Sequence, residues 1–81
     1  MVDINQAISL HNSGNFQDAE KIYLEILSSE PDNAYVNNLL GLLCSQTTQF
    51  SKAEFYLKKA VELEENENYL ENLGICYYLQ D

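Results

Sequence analysis

The stretch Gly14-Asn15-Phe16-Gln17-Asp18-Ala19 returns further along the chain as Thr48-Gln49-Phe50-Ser51-Lys52-Ala53. The step from Phe16 to Phe50 equals the step from Ala19 to Ala53. A second echo links Leu40-Gly41 to Leu73-Gly74 at a spacing shorter by one position. Self-similarity at this period, roughly 34 residues, indicates a solenoid of helix pairs, in which no single repeat buries its own apolar face.

Apolar residues that recur at intervals of three and four predict five helices along the chain. The predicted helices cover about residues 3–13, 17–29, 34–47 and 51–64, and a fifth runs from about residue 67. Gly14 and Pro31 end the first two, because glycine favours the turn after a helix and proline cannot continue one. Only a few residues connect one predicted helix to the next, which favours antiparallel packing of neighbouring helices. Since the predicted elements are all helices, the expected fold class is all-α.

Composition limits the function classes that this chain can serve. Its 81 residues suffice for one small domain, and its net charge of −9 comes from thirteen acidic residues against four lysines. Such a surface repels nucleic acid and anionic lipid. It suits a basic partner or simply keeps the chain soluble. No apolar run approaches the roughly 20 residues of a membrane span, and Met1–Asn5 lacks the features of a signal peptide, so we expect a cytoplasmic protein.

The residues that carry chemistry are few and scattered. His11 is the only histidine, and its place near the end of the first predicted helix favours an exposed side chain beside the helix dipole over a functional role. Cys44 and Cys76 lie within apolar stretches, which favours free buried thiols over a disulfide or a redox pair. We therefore expect no catalytic residue, no metal and no cofactor, and hence no enzyme activity in this segment.

The second repeat resembles the tetratricopeptide repeat, whose pattern sets Leu-Gly, an aromatic residue and spaced alanines along a helix pair. The matching residues are Leu40, Gly41, Phe50, Ala53, Leu57 and Ala60, with Leu10, Gly14, Phe16, Ala19, Tyr23 and Pro31 in the first repeat. Residues 70–80 resemble the first helix of a third repeat. The resemblance implies an antiparallel helix-pair solenoid of about two and a half repeats and a right-handed superhelix.

In this family the first helix of each repeat lines a concave face, so the resemblance implies a binding surface for a protein or peptide partner. Apolar residues and amides alternate there, as suits an extended peptide or a helix. Ile8, Leu42 and Ile75 could equally pack between neighbouring helices. The implied surface consists of Ile4, Asn5, Ile8, His11, Asn12, Tyr35, Asn38, Leu42, Ser45, Gln46, Glu71, Asn72, Ile75, Tyr78 and Leu79.

The third repeat has a first helix without a second. We therefore expect one domain over residues 1–81, with repeats at about 1–33 and 34–66 and a half repeat at 67–81, as the N-terminal part of a longer protein. The expected function is a scaffold that binds a partner on the concave face. The alternative is a non-catalytic accessory or dimerisation domain of a bacterial enzyme such as a glycosyltransferase or methyltransferase. An uncovered last helix also predicts a homodimer through that helix.

Overall fold

A computed structural model describes residues 3–80 of the chain, which form five α-helices and no β-strand. Met1, Val2 and Asp81 lie outside the described residues. The predicted bounds agree closely with the structure at both ends of each helix. The helices are α1 (Ile4–Asn12), α2 (Phe16–Ser29), α3 (Ala34–Gln46), α4 (Phe50–Leu63) and α5 (Glu67–Gln80).

Each helix packs against the next in sequence, and α3 also contacts α5. The all-α helix-pair architecture is therefore confirmed. The right-handed sense of the superhelix stays a prediction from the family resemblance. The α1–α2 and α3–α4 pairs fall within the two predicted repeats, with α3 at the centre of the stack.

The turns inside the two helix pairs have the same backbone conformation. Gly14 has φ +87°, and Thr48, at the same position of the next repeat, has φ +61°. In each turn, a backbone N–H group donates to the carbonyl oxygen five residues earlier and so closes the C-terminal end of the first helix of the pair. Asn15 N donates to Leu10 O, and Gln49 N donates to Cys44 O, each at 2.8 Å. The sequence repeat is thus a repeat of backbone structure as well.

Small residues at equivalent positions of the two repeats are buried between the helices. Ala19 and Ala53 are both fully buried, and Ala7 and Gly41 are buried as well. A Cβ atom on Gly41 would lie 2.5 Å from Leu57 Cγ, which leaves room only for glycine unless Leu57 moves. Gly41 thus marks a close approach of α3 and α4, whereas Gly74, at the same position of the next repeat, has no atom within 4 Å of an added Cβ.

The two cysteines are free and buried, as the sequence predicts. Burial in the apolar core is the largest cause that raises the pKa of the Cys44 thiol to about 11, and the nearby Glu20 carboxylate adds to it. The uncharged thiol is therefore the form present at neutral pH, and it packs as a small apolar group.

Candidate partner-binding surface

The inner surface, as we name it, is the accessible face of the first helices α1, α3 and α5. The fifteen residues that the resemblance assigns to it fall into three groups by exposure. Exposed are Asn5, Asn12, Tyr35, Gln46, Glu71, Ile75, Tyr78 and Leu79; half-buried are Ile4, Ile8, Leu42 and Asn72; buried are His11, Asn38 and Ser45.

The prediction that His11 is exposed is wrong, because its side chain is only 7% exposed. Its Nδ1 lies 2.9 Å from the hydroxyl of Tyr23, and its Nε2 lies 2.6 Å from Oε1 of Gln46. Since the Gln46 carbonyl oxygen only accepts, Nε2 donates to it, and the tautomer with its proton on Nε2 leaves Nδ1 to accept from the Tyr23 hydroxyl. His11 therefore joins α1 to both α2 and α3 and is not free to contact a partner.

The hydroxyl of Tyr23 belongs to this buried network. Tyr23 is fully buried. Its pKa is raised to about 12, first by burial and then by Tyr35. The hydroxyl accordingly keeps its proton across the physiological range and remains a donor to His11. The sequence signal for this contact is weak, since Tyr23 resembles any large core residue of the repeat.

Asn38 and Asn72 form a side-chain pair that links α3 to α5. The Asn72 Nδ2 group donates to Asn38 Oδ1 at 3.0 Å. Asn38 is 6% exposed and Asn72 is half-buried, so the pair lies at the floor of the inner surface. Within residues 3–80, neither Asn38 Nδ2 nor Asn72 Oδ1 makes a hydrogen bond, which leaves the Asn72 oxygen as an acceptor at a half-buried position.

Ser45 was also assigned to the inner surface, but its hydroxyl is buried in the packed interior. The residue is 8% exposed, and its Oγ has no hydrogen-bond partner among the described residues. Ser45 holds the position in the second repeat that His11 holds in the first. Because this oxygen atom is itself covered, the Ser45 hydroxyl cannot form a hydrogen bond with a partner in this conformation.

Large apolar side chains dominate the accessible part of the inner surface on α5. Ile75 is 47% exposed and Tyr78 is 80% exposed. Glu71 is the one acidic residue among the fifteen, and the lysines lie on α2 and α4. The surface can therefore offer apolar contact and amide hydrogen bonds, but it has no lysine with which to hold a carboxylate.

A shallow depression on the outer side of α4 was not predicted from the sequence. It encloses about 300 Å³ and is lined by residues of α4 only, among them Phe55, Lys58 and Lys59. Lys58 pairs with Glu54 at 3.2 Å, and Lys59 lies 4.0 Å from Asp32. Because both lysines have acidic partners, this depression offers little uncompensated positive charge.

Two further features were searched for among the described residues: a cluster of metal-ligating side chains and a helix able to cross a membrane. Residues 3–80 bring no three histidine, cysteine or acidic side chains together as a metal site would require. Among the same residues, no helix has both the length and the apolar character needed to cross a bilayer.

Comparison with known families identifies the repeat. A family model described as "Tetratricopeptide repeat" matches residues 34–67, which cover α3, α4 and the first residue of α5. A search of curated proteins found no match. Repeats of this kind generally act as scaffolds for protein–protein interaction and are typically non-catalytic. Residues 34–67 therefore form a tetratricopeptide repeat, and the first helix pair has the same backbone turn as this repeat.

Proposed function

We propose that the inner surface binds a peptide or an extended segment of a partner protein. The observation that carries this proposal is the Asn38–Asn72 pair, in which the half-buried Asn72 keeps its carbonyl oxygen as an acceptor after donating to Asn38. A peptide main chain presents the complementary groups at every residue. The pair can therefore hold an extended chain without regard to its side chains.

Apolar contacts on either side of the pair would supply the rest of the binding energy. Tyr35 and Ile75 are each 47% exposed, on α3 and α5. Covering such side chains contributes roughly 25 cal/mol for each Å² of apolar surface removed from water. Aromatic and branched aliphatic side chains of the partner would suit these positions best.

The charge of the chain favours a neutral or basic segment. The net charge is −9, and Glu71 lies on the inner surface itself. An acidic peptide would meet repulsion there without a lysine to offset it. Affinity for a basic segment should fall as salt is added, whereas the amide and apolar contributions should persist.

Selection of peptides from a random library against this chain tests the proposal. Ile75→Glu places a charge at an exposed apolar position, so it should abolish capture of the selected peptides without unfolding the chain. The control, Lys58→Glu, changes charge on the outer helix α4 and should have little effect. Loss of binding in the Lys58 variant, with the Ile75 variant unaffected, would place the site on the outer side.

The alternative function, an accessory or dimerisation domain of a larger enzyme, finds support in the exposed side of α5. Leu70 there is 52% exposed and Tyr77 is 43% exposed. Apolar exposure of this kind suits a contact within a larger assembly. Sedimentation of the chain over a range of concentrations distinguishes the self-associating form, which would show a dimer that Leu70→Glu dissociates.

A further inference from the structure

The hydrogen bond between His11 and Gln46 fixes the direction in which an amide of the inner surface points. The His11 Nε2 and Gln46 Oε1 atoms lie 2.6 Å apart, and the bond joins α1 to α3. A glutamine side chain carries an oxygen that accepts and an Nε2 group that donates, and the two point in different directions from the amide carbon. Whichever atom faces His11, the other is left for the exposed side of Gln46.

The buried hydroxyl of Tyr23 selects the atom of Gln46 that faces His11. Tyr23 is fully buried, and among residues 3–80 its hydroxyl has one hydrogen-bond partner, the Nδ1 atom of His11 at 2.9 Å. Because a buried O–H group without an acceptor costs free energy, the Tyr23 hydroxyl donates to Nδ1. His11 then carries its proton on Nε2, and the Gln46 oxygen is the atom that can accept it.

The Nε2 group of Gln46 is therefore directed away from His11. Among the described residues its two N–H donors have no acceptor, and Gln46 is exposed. It is exposed even though its helix α3 contacts α2, α4 and α5 and is bonded to α1 through His11. The free donors thus belong to the middle of the inner surface and not to either end of the stack.

The charge of the chain indicates which acceptor these donors suit. The net charge is −9, and the inner surface has no lysine. A carboxylate or a phosphate would meet repulsion there without a cation to offset it. A main-chain carbonyl is an uncharged acceptor that an extended segment presents at every residue. The Asn72 oxygen on the same surface is an acceptor, so Gln46 adds the donor that a peptide main chain also requires.

We propose that Gln46 binds a main-chain carbonyl of the partner segment and that His11 is a positioning residue that holds the Gln46 amide for this contact. The inference rests on the function proposed for the inner surface and names a group that this surface recognises. His11 is buried, so it acts on the partner only through Gln46. Tyr23 acts one step further back, because it keeps His11 in the tautomer that donates to Gln46.

A selected peptide without charged side chains is the probe for Gln46, and fluorescence anisotropy of the labelled peptide measures its affinity. Gln46→Glu keeps an acceptor for His11 but replaces both N–H donors by an oxygen. It should weaken the peptide by about 10-fold or more, since the partner carbonyl then faces a carboxylate and loses its donor. The matched control is Gln17→Glu, the same exchange at an exposed residue of α2, which should leave the affinity unchanged.

Replacing single amides of the peptide by esters identifies the carbonyl that Gln46 contacts. An ester carbonyl is a weaker acceptor than an amide carbonyl, so one ester position should weaken binding to the unaltered chain by about 2- to 10-fold. The same ester should have no further effect on binding to the Gln46→Ala variant, because the donor is already absent there. A scan in which no ester position is coupled to Gln46 would overturn the proposed contact.

Two substitutions of His11 separate positioning from stability. In His11→Gln the new carboxamide can donate to Gln46 and accept from Tyr23, as the imidazole does, whereas His11→Met supplies no donor. Both variants should lose stability, but only His11→Met should weaken the peptide, by about 5-fold or more. Equal affinities of the two variants would contradict the positioning role. Nitrogen-15 NMR of the unaltered chain at mildly alkaline pH tests the tautomer without any peptide, and a proton on Nδ1 in place of Nε2 would also contradict it.

The Ile75→Glu variant shows whether a failure concerns Gln46 or the whole surface. If Ile75→Glu abolishes capture and Gln46→Glu leaves it intact, the inner surface binds the peptide without Gln46, and only the contact proposed here is wrong. If neither substitution changes capture, the peptide binds elsewhere, and the function proposed for the inner surface is wrong as well. Loss of binding in both variants, with Gln17→Glu unaffected, is the result that we expect.

Discussion

Gly41 and Gly74 occupy the same position of the repeat, yet their surroundings differ completely. A Cβ on Gly41 would lie 2.5 Å from Leu57 Cγ, whereas a Cβ on Gly74 would meet nothing within 4 Å. The glycine at residue 41 is required by the helix that covers it. At residue 74 the same residue is a helix-weakening choice with no contact to justify it within the described residues. A repeat motif thus specifies a surface, and the neighbouring helix decides whether that surface is core or exposed.

The largest expected loss of stability comes from adding side-chain volume to the buried face of α4, the helix that covers Gly41. Ala53 is fully buried on α4, so Ala53→Leu should lower the free energy of unfolding by about 1–3 kcal/mol. Lys52→Leu places the same new residue at an exposed position and should change stability by less than about 0.5 kcal/mol. Urea denaturation measures both. Equal midpoints for the two variants would contradict the assigned packing of α4.

Two side-chain hydrogen bonds between helices, one buried and one half-buried, should differ in how much they contribute to stability. His11→Ala removes the acceptor of the buried Tyr23 hydroxyl and should cost about 1–3 kcal/mol, the penalty for an unsatisfied buried polar group. Asn72→Ala breaks the pair with Asn38 at a half-buried position, where water can replace the lost bond. Its cost should be nearer to about 1 kcal/mol. Thermal unfolding of the two variants gives the order, and a larger loss for Asn72→Ala would reverse it.

The turn residues give the smallest expected effect, and its sign is opposite. Thr48 holds φ +61°, a conformation that β-branched side chains adopt only with strain. Thr48→Gly should therefore raise stability by about 0.5–1 kcal/mol, since the strain relieved slightly exceeds the added chain entropy. The reverse exchange, Gly14→Thr, should destabilise the chain. A Thr48→Gly variant less stable than the parent would mean that the threonine side chain makes contacts worth more than the strain.

Much of the fold could be predicted because its signals are local. Helix ends follow from Gly14 and Pro31, and the sequence repeat places Phe16 and Phe50 at the first position of α2 and α4. Ser51 and Glu54 have the spacing of a capping box, but α4 begins one residue before Ser51, at Phe50, and its N-cap Gln49 makes no side-chain hydrogen bond. The backbone turn at Thr48 sets the start of that helix, and the capping pattern has no effect on it.

The exposure of the inner-surface residues was harder to predict, because it depends on contacts with residues that are distant in sequence. His11 is covered through Tyr23 and through Gln46, which lies 35 residues away. Asn38 is buried beside Asn72, 34 residues away. A helical pattern shows which face a side chain is on, but it does not show how closely the next repeat approaches that face. Tyr35 and Ile75 are exposed because no helix among residues 3–80 covers them, a point that the sequence leaves open for Ile75.

The central claim is that one position of the repeat is covered on α3 and open on α5, and a matched pair of alanine variants tests it most directly. Urea unfolding of Gly41→Ala and Gly74→Ala compares the same substitution in the same helix register. We predict that Gly41→Ala lowers the free energy of unfolding by about 1–3 kcal/mol, because its methyl group collides with Leu57. Gly74→Ala should raise it by about 0.5–1 kcal/mol, because alanine favours the helix and meets no neighbour. Changes of the same sign at both positions would contradict the account.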